Sequence, residues 1–369
     1  FNSSYRLFQR KSLSLIEVLI MKKIVYVLGV FLMVLFFITA NVQKVFAKGA
    51  NEVETLIESL EVGEPVYYES LTIIPIYTTK VKDLSNYTTL DEALKNDWLK
   101  VTELQGGQVP QLSLTNLSDN YIYIMGGEIL SGCKQDRIVG RDVLVRPRSK
   151  NLTVPVYCVE QGRWTYQSDK FYSKQNLGTH TLRAKAQYGG GTAQYEIWDK
   201  ISKSVSKNRV NSKTDAYQDI YETEEVKRKI IPYEQQMRKV PRLYEDTIGV
   251  VVGVGNKIVS VDIFANPYIF KKLWSKLLKS SALSAITCKT YGSITSDDAV
   301  NFLRILHNEI YTQKPGIDLG FEFYSVEDIN INALVYRNAV IHLAAFYQEE
   351  KEKILQRDNS ERRMPVMKR

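Results

Sequence analysis

The chain has 369 residues, 44% of them hydrophobic and 24% charged, which is enough to bury a sizeable core and too apolar for a disordered chain. The formal charge of +8 sits mostly at the front: residues 1–47 carry six Lys or Arg against one Glu, leaving +3 for the remainder, so a nucleic-acid partner loses its electrostatic support. Three Cys and three widely spaced His make neither a disulfide framework nor a zinc-ligand pattern, and no metal or cofactor is expected.

The first element is a leader. Residues 21–47, "MKKIVYVLGVFLMVLFFITANVQKVFA", have a basic start in Lys22 and Lys23, an apolar run from Ile24 to Ala40, and a small-residue end with Val45 and Ala47 at −3 and −1 of a cleavage point. The pattern is that of a bacterial-type secretory signal, and the apolar run is also nearly long enough to remain as a membrane anchor. Either outcome puts the rest of the chain outside the cytoplasm, secreted, periplasmic or in the cell envelope, with membrane contact only through an uncleaved leader. No Cys adjoins the cleavage point, which argues against a lipoprotein. Residues 1–20 read as translated upstream sequence with Met21 as the natural start, since "IEVLIM" can be encoded by a ribosome-binding sequence.

Residues 60–167 read as β-rich: "YYESLTIIPIYTT", "LKVTEL", "VPQLSLTNL", "NYIYIMGG", "DVLVRP" and "NLTVPVYCVE" are β-branched or aromatic runs bounded by Gly, Pro, Asn and Asp. A short helix, "TLDEALKND", interrupts them, with Thr89 as N-cap and Glu92 three residues on. This spacing predicts an antiparallel sandwich or a partly closed barrel. Residues 168–246 read as a linker and helical stretch. "YGGGTAQ" at 188–194 leads into a helix on which Ile197, Ile201 and Val205 recur every four residues, and an amphipathic helix around 222–238 is expected to break at Pro232.

Residues 247–347 predict a hairpin-helix-helix-hairpin arrangement, making the whole an α+β fold. "IGVVVGVGNKIVSVDIF" turns at Gly255-Asn256. The following helix has Asn266 as cap and Pro267 at its first position. Phe270, Leu273, Trp274, Leu277 and Leu278 form its buried stripe, with Lys271, Lys272, Lys276 and Lys279 assigned to water. A second helix starts near Ser296 with Asp297 and Asp298 in its first turn and Phe302, Leu303, Leu306 and Ile310 on its apolar face. The last hairpin is "ININALVYRNAVIHLAAF", in which "NAVIHLAAF" (338–346) aligns without gaps to "NKIVSVDIF" (256–264), a weak sign of internal duplication. Residues 348–369 form a charged tail. The domain organisation expected is thus a leader over 1–47, one domain over 48–347 and the tail.

"GGEILSGCKQDR", "DVLV" and "VPVYCVEQGRW" resemble the signature of the ARG and rhodanese-phosphatase-superfamily-associated protein domain, a bacterial and archaeal family. The pattern falls on Gly127, Glu128, Leu130, Gly132, Lys134, Gln135, Asp136 and Arg137, then on Pro155, Val156, Cys158, Val159, Glu160, Gly162, Arg163 and Trp164. Cys133 stands where Ala or Gly is usual and Asp136 where Asn is common. The resemblance spans about residues 60–347, and the family's association with ADP-ribosylglycohydrolases implies a link to NAD or ADP-ribose metabolism.

Candidate site residues come from that stretch. Leu152, Val154, Val156, Cys158 and Glu160 share one strand face. Cys158 reads as a small buried apolar residue, with no His nearby in sequence to activate it; whether it pairs with Cys133 is open. Glu160 ends an apolar face, so it must be paired, protonated or opened to a cleft. Its natural partners are Arg163, Lys134 and Arg137. One reading is a pocket for a small anionic ligand in which Glu128 or Glu160 acts as acid or base and Gln135 orients a water or amide, while Lys134, Asp136, Arg137, Asp142, Arg163 and Trp164 line it. The other is a buried ion-pair network in a structural or interaction module, protein partners unknown. His342 reads as a satisfied core or edge histidine.

Overall fold

The computed structural model describes Tyr26 and residues 50–84, 86–104, 110–188, 190–326 and 329–347. Tyr26 apart, the expected leader lies outside the described residues, as does the charged tail. Among the described residues no helix is long and apolar enough to cross a membrane.

The chain begins with helix α1 (Ala50–Glu58) and strands β1 (Glu61–Val62), β2 (Val66–Tyr68), β3 (Leu71–Tyr77) and β4 (Tyr87–Thr89). Helix α2 (Leu90–Lys95) follows, then β5 (Leu99–Glu103), β6 (Gln111–Asn116), β7 (Tyr121–Ile124), β8 (Glu128–Ser131), β9 (Arg137–Val139), β10 (Val143–Val145), β11 (Leu152–Cys158) and β12 (Tyr172–Leu177). Four helices come next: α3 (His180–Tyr188), α4 (Ala193–Lys207), α5 (Tyr217–Glu222) and α6 (Glu224–Met237). Strands β13 (Thr247–Val254) and β14 (Lys257–Phe264), helices α7 (Pro267–Ala285) and α8 (Ser296–Asn308), and strands β15 (Thr312–Pro315), β16 (Phe321–Val326), β17 (Ile329–Tyr336) and β18 (Ala339–Tyr347) complete it. Helix and strand take near-equal shares, 32% and 34%, in sheets that are antiparallel but for the β4–β7 pair, with a curled half-barrel, so the fold is the α+β class expected.

The largest sheet runs β1-β3-β13-β14-β18-β17-β16-β15, with β2 also on β3; β8, β9, β11 and β6 lie between β12 and β5 in a second, and β7 sits between β10 and β4 in a third. Strand β3 leaves the β-rich stretch to pair with β13 along its whole length. All of its positions but the last are buried, as a strand covered on both faces requires. One face of the large sheet packs under α1 and α8 through Ile74, Val251, Val261, Ile263, Ala333 and Leu343. The other turns Ile73, Val250, Val252, Phe264 and Leu334 toward α6 and α7.

Helix α7 starts as expected: the Asn266 side chain accepts the Ile269 N–H and Pro267 takes the first position. Ile269, Phe270, Leu273, Trp274, Leu277 and Leu278 are buried, each contributing about 1.5–3 kcal/mol. Helix α8 is closed by a Thr295/Asp298 capping box, while Ile310 falls beyond its end and is exposed. Helix α6 runs through Pro232 rather than breaking there. Pro removes the bond to the Arg228 carbonyl, but Arg228 is exposed, so water can satisfy that oxygen, and the stripe of Val226, Ile230, Tyr233 and Met237 outweighs the helical cost of about 3 kcal/mol.

The two aligned hairpins share more than sequence. Each residue of the second lies 82 positions after its counterpart, Val254 to Tyr336 and Lys257 to Ala339; both have two-residue turns, and both carry a bulge at the same place, Val259 in one and Ile341 in the other. Their second strands, β14 and β18, pair with Asp262 opposite Ala344, the two residues that the alignment equates.

Candidate functional site

The charged connection between β8 and β9 folds back on itself because Gly132 and Cys133 both have positive φ, +117° and +46°, the left-handed conformation that lets a tight turn close. Asp136 then sits inside the turn, where its carboxylate accepts from Gly132 N at 3.0 Å and Ser131 Oγ at 3.0 Å. The Glu160 carboxylate arrives from the end of β11, accepting from Asp136 N at 3.2 Å, Thr214 Oγ1 at 3.0 Å and Arg163 at 2.6 Å. Arg163 also reaches Asp136 at 3.2 Å and the Cys133 carbonyl at 2.9 Å. Gln135 donates to the Glu160 carbonyl, and Arg137 donates to the Gln135 carbonyl and side chain.

Gln135, Asp136, Glu160 and Arg163 are each buried to within 7% exposure and Arg137 completely. Burial opposes the Arg163 charge, yet Glu160 and Asp136 outweigh it and raise its pKa; burial raises the Asp136 carboxyl against the pull of Gly132 N and Arg163. Lys134 turns away, its ammonium 5.2 Å over the half-exposed ring of Trp164. Cys133 and Cys158 are buried free thiols, and burial pushes Cys133 up to about 11 and Cys158 up as well, away from the thiolate a nucleophile needs.

The other two candidates lie in different clusters. Glu128 accepts from Met125 N at 2.8 Å and pairs with Lys276 of α7, which also holds Asp91 at 2.6 Å. Lys276 is thus 3% exposed and not on the solvated face that helical spacing predicts, because the stripe of α7 meets the acidic ends of α2 and β8. One cation serves two acids here. Lys276 stays charged, burial being outweighed by both carboxylates, while burial raises the Glu128 carboxyl.

Asp142 belongs to a third cluster, under α3. Its carboxylate accepts from Gly126 N at 2.7 Å and faces His342 Nδ1 at 2.7 Å, while His342 Nε2 faces Asp262 at 3.1 Å. Asp262 in turn takes a two-point contact from Arg183, one arm at 3.0 Å. All four side chains are at most 2% exposed. Burial works against the His342 charge, but Asp142 and Asp262 outweigh it and raise the pKa; Arg183 and His342 likewise overcome burial at Asp262 and hold it well below the carboxylate range. His342 is therefore a satisfied imidazolium with both N–H groups donating. Gly127 makes room for this cluster: with φ +100°, a Cβ there would stand 2.4 Å from Arg183 Cγ.

Beside this third cluster, a cavity of about 460 Å³ opens, lined by Arg141, Tyr157, Gln187, Tyr188, Lys314 and Tyr324 among others. Arg141 and Lys314 converge on one oxygen of the wholly buried Glu322, at 3.1 and 3.2 Å, and Asn332 donates to that same oxygen at 3.2 Å. Two cations on one carboxylate leave a positive excess. Burial lowers the Lys314 pKa, with Glu322 opposing and Arg141 reinforcing. Both amide atoms of Gln187, the Tyr188 hydroxyl and Glu322 Oε1 are buried with no hydrogen-bond partner among the described residues. Buried polar atoms in native proteins are nearly always bonded, and four such atoms without a partner lie on or beside this cavity.

Arg141 and Tyr157 stand within or between the segments from which the candidates were drawn, yet neither was among them, and Gln187, Tyr188, Lys314 and Tyr324 lie far from those segments in sequence. The signal that could have found them is a polar residue on a buried strand face: Glu322 in "FEFYS", Asn332 in "ININALVY" and Asp262 in "VSVDIF" share a sheet face with Tyr324, Leu334 and Phe264.

Fold and sites together define an α+β protein with, among the described residues, three largely buried ionic clusters and a basic, aromatic-walled cavity. The chain belongs to the ARG and Rhodanese-Phosphatase-superfamily-associated Protein domain family, whose model matches residues 59–346. Neither a curated protein nor a solved structure matches it.

Proposed function

We propose that the protein binds a small anionic, nucleotide-related ligand in the cavity lined by Arg141, Gln187 and Lys314. What carries the reading is the pairing of excess positive charge with unbonded buried polar atoms in one concave site. Arg141 and Lys314 are chemically suited to a phosphate or carboxylate. The Gln187 amide offers a donor and an acceptor to a base or ribose edge. Tyr157, Tyr188 and Tyr324 offer ring faces for stacking. The family's link to ADP-ribose metabolism guides the choice of probes.

Calorimetric titration with ADP-ribose, NAD, AMP and inorganic phosphate tests this. Binding of one or more nucleotide probes is expected, with Arg141→Ala and Gln187→Ala each weakening it by about tenfold or more, the worth of a charge-assisted contact or a lost hydrogen-bond pair. No heat with any probe, or affinity unchanged in both variants, would refute it.

A second reading applies to the stretch first singled out. The cluster of Asp136, Glu160 and Arg163 supports a lock between the turn after β8 and the end of β11, since its carboxylates and guanidinium are bonded to one another and at most 8% exposed. Export belongs to the same proposal: the leader directs the chain out of the cytoplasm. Cleavage after Ala47 would give a mature chain starting at Lys48, which terminal sequencing reads; a terminus still at Met21 would mean an anchor.

A further inference from the structure

A second cavity, of about 360 Å³, lies where β12, α5, α6 and α7 meet, lined by Lys174, Asn176, Glu222, Lys227, Glu234 and Lys279 among others. It is independent of the cavity proposed for the nucleotide ligand. Lys276 and Lys279 stand three residues apart on α7 and so share one side of the helix. Lys276 takes both carboxylates within reach, Glu128 and Asp91. Lys279 is left with a neutral partner, donating to Asn176 Oδ1 at 2.9 Å, and among the described residues it forms no ion pair.

Asn176 cannot turn to improve matters, because its Nδ2 donates to Gln218 Oε1 at 2.7 Å and Gln218 donates onward to Ser131 at 3.0 Å. An ammonium at Lys279 is therefore half-buried, has no carboxylate within ion-pair distance among the described residues and has a second cation one turn away. Each circumstance favours the free amine. Burial, reinforced by Lys276, holds its pKa below the ordinary lysine value, with Glu234 opposing. Across the same cavity, burial pushes the Glu234 carboxyl up, with Lys279 opposing, so an acid and an amine whose charged forms are both disfavoured by burial share one space.

We propose that Lys279 is a nucleophilic amine that condenses with a small aldehyde or ketone carrying an anionic group, with Glu234 as its proton donor, and that Lys174 and Lys227, which pair with Glu222 and Glu224 in the free protein, exchange those partners for the anion. The neutral Nζ adds its lone pair to the carbonyl carbon, the C=O π pair moves to oxygen, and that oxygen takes the Glu234 proton. Nitrogen then returns one proton to Glu234, leaving a neutral carbinolamine. A second transfer from Glu234 to the hydroxyl lets water leave as the C=N bond forms. The products are a protonated imine on Lys279, one water and the Glu234 carboxylate.

The test uses the full chain with cyanoborohydride and either glyoxylate, an anionic aldehyde, or propanal, a neutral one, followed by peptide mass spectrometry. Lys279 is expected to be alkylated about tenfold faster by glyoxylate than Lys271, an exposed lysine of the same helix, and about tenfold faster by glyoxylate than by propanal relative to that control. In Glu234→Gln, shown by its melting curve to be folded, the Lys279 rate should fall severalfold with Lys271 unchanged. A Lys279 rate at or below that of Lys271 would overturn the nucleophile. Equal preference for both aldehydes would overturn the anionic class, and an unchanged rate in Glu234→Gln would overturn the acid.

Discussion

Asn in place of Asp262 tests the buried network under α3 without changing its volume. In the native cluster Asp142 and Asp262 balance Arg183 and His342, four charges summing to none in a space at most 2% exposed. The substitution leaves two buried cations on one carboxylate and turns an amide N–H toward Arg183, which has only donors. Removing one partner of a buried pair costs about 3–5 kcal/mol, and that is the expected loss. Its pH dependence follows from His342, whose pKa is raised above the ordinary 6.5. The raised value stabilises the native protein fully below about pH 6.5, and that contribution is lost as pH rises through the folded pKa. Asp262, lowered, gives stability above the carboxylate range that is lost only in strong acid. The deficit of Asp262→Asn should therefore be larger near pH 5.5 than near pH 8.5, shrinking as His342 gives up its proton and leaves Arg183 balanced by Asp142. Urea unfolding followed by Trp fluorescence at both pH values reads it. The double variant Arg183→Met, Asp262→Leu should lose less than Asp262→Asn alone, since neither charge is then orphaned. A loss below about 1 kcal/mol near pH 5.5, or a deficit growing with pH, would refute the charge-balance argument.

Further outcomes follow from the other clusters. Glu160→Gln leaves Arg163, 7% exposed, with only Asp136 as carboxylate partner, so unfolding stability should fall by about 2–4 kcal/mol while affinity for any nucleotide probe stays unchanged; a parallel loss of affinity would return this stretch to the binding site. Gly127→Ala meets Arg183 Cγ at 2.4 Å with φ +100°, so strain and overpacking together should cost about 3 kcal/mol or more, read by thermal melting. Cys288 is partly exposed and Cys133 and Cys158 are buried; titration with a disulfide reagent should count one thiol in the native protein and three in urea, and a native count of three would contradict the burial.

What the sequence conveyed was local. Asn266-Pro267, Asp297 and Asp298 after Ser296, and Ile197, Ile201 and Val205 each announce their structure within a few residues, and each is found where expected. The turn at 132–137 and the end of β11 were also expected to meet because Glu160 must find a partner, although Arg163 and the Asp136 N–H supply it and Lys134 and Arg137, the other partners expected, turn elsewhere. Long-range pairing was not readable. Strand β3 joins β13 across about 170 residues, and Lys276 leaves a solvated helix face only because Glu128 and Asp91 are brought to it by other strands. The cavity residues escaped for the same reason. Arg141 and Lys314 belong to segments with no contact in sequence, and each alone is an ordinary surface cation.

The paired hairpins explain why the network under α3 is asymmetric. Because β14 and β18 pair antiparallel with aligned residues opposite each other at Asp262 and Ala344, corresponding side chains on the inward face are brought close about one point. Acids at both positions would place two like charges about 5 Å apart in a dry interior. Only one copy carries the acid, and Ala at the other leaves room for the single guanidinium that α3 supplies. The aligned phenylalanines keep matching roles: Phe264 stacks on His342 at 4.4 Å and Phe346 lies 4.9 Å from the Arg183 guanidinium, so each copy covers one cation with a ring face. Replacing Ala344 with Asp should then destabilise the fold more than replacing it with Ser, because only the former adds an unpaired charge; equal losses in urea unfolding would show that space alone, and not charge, forbids a second acid.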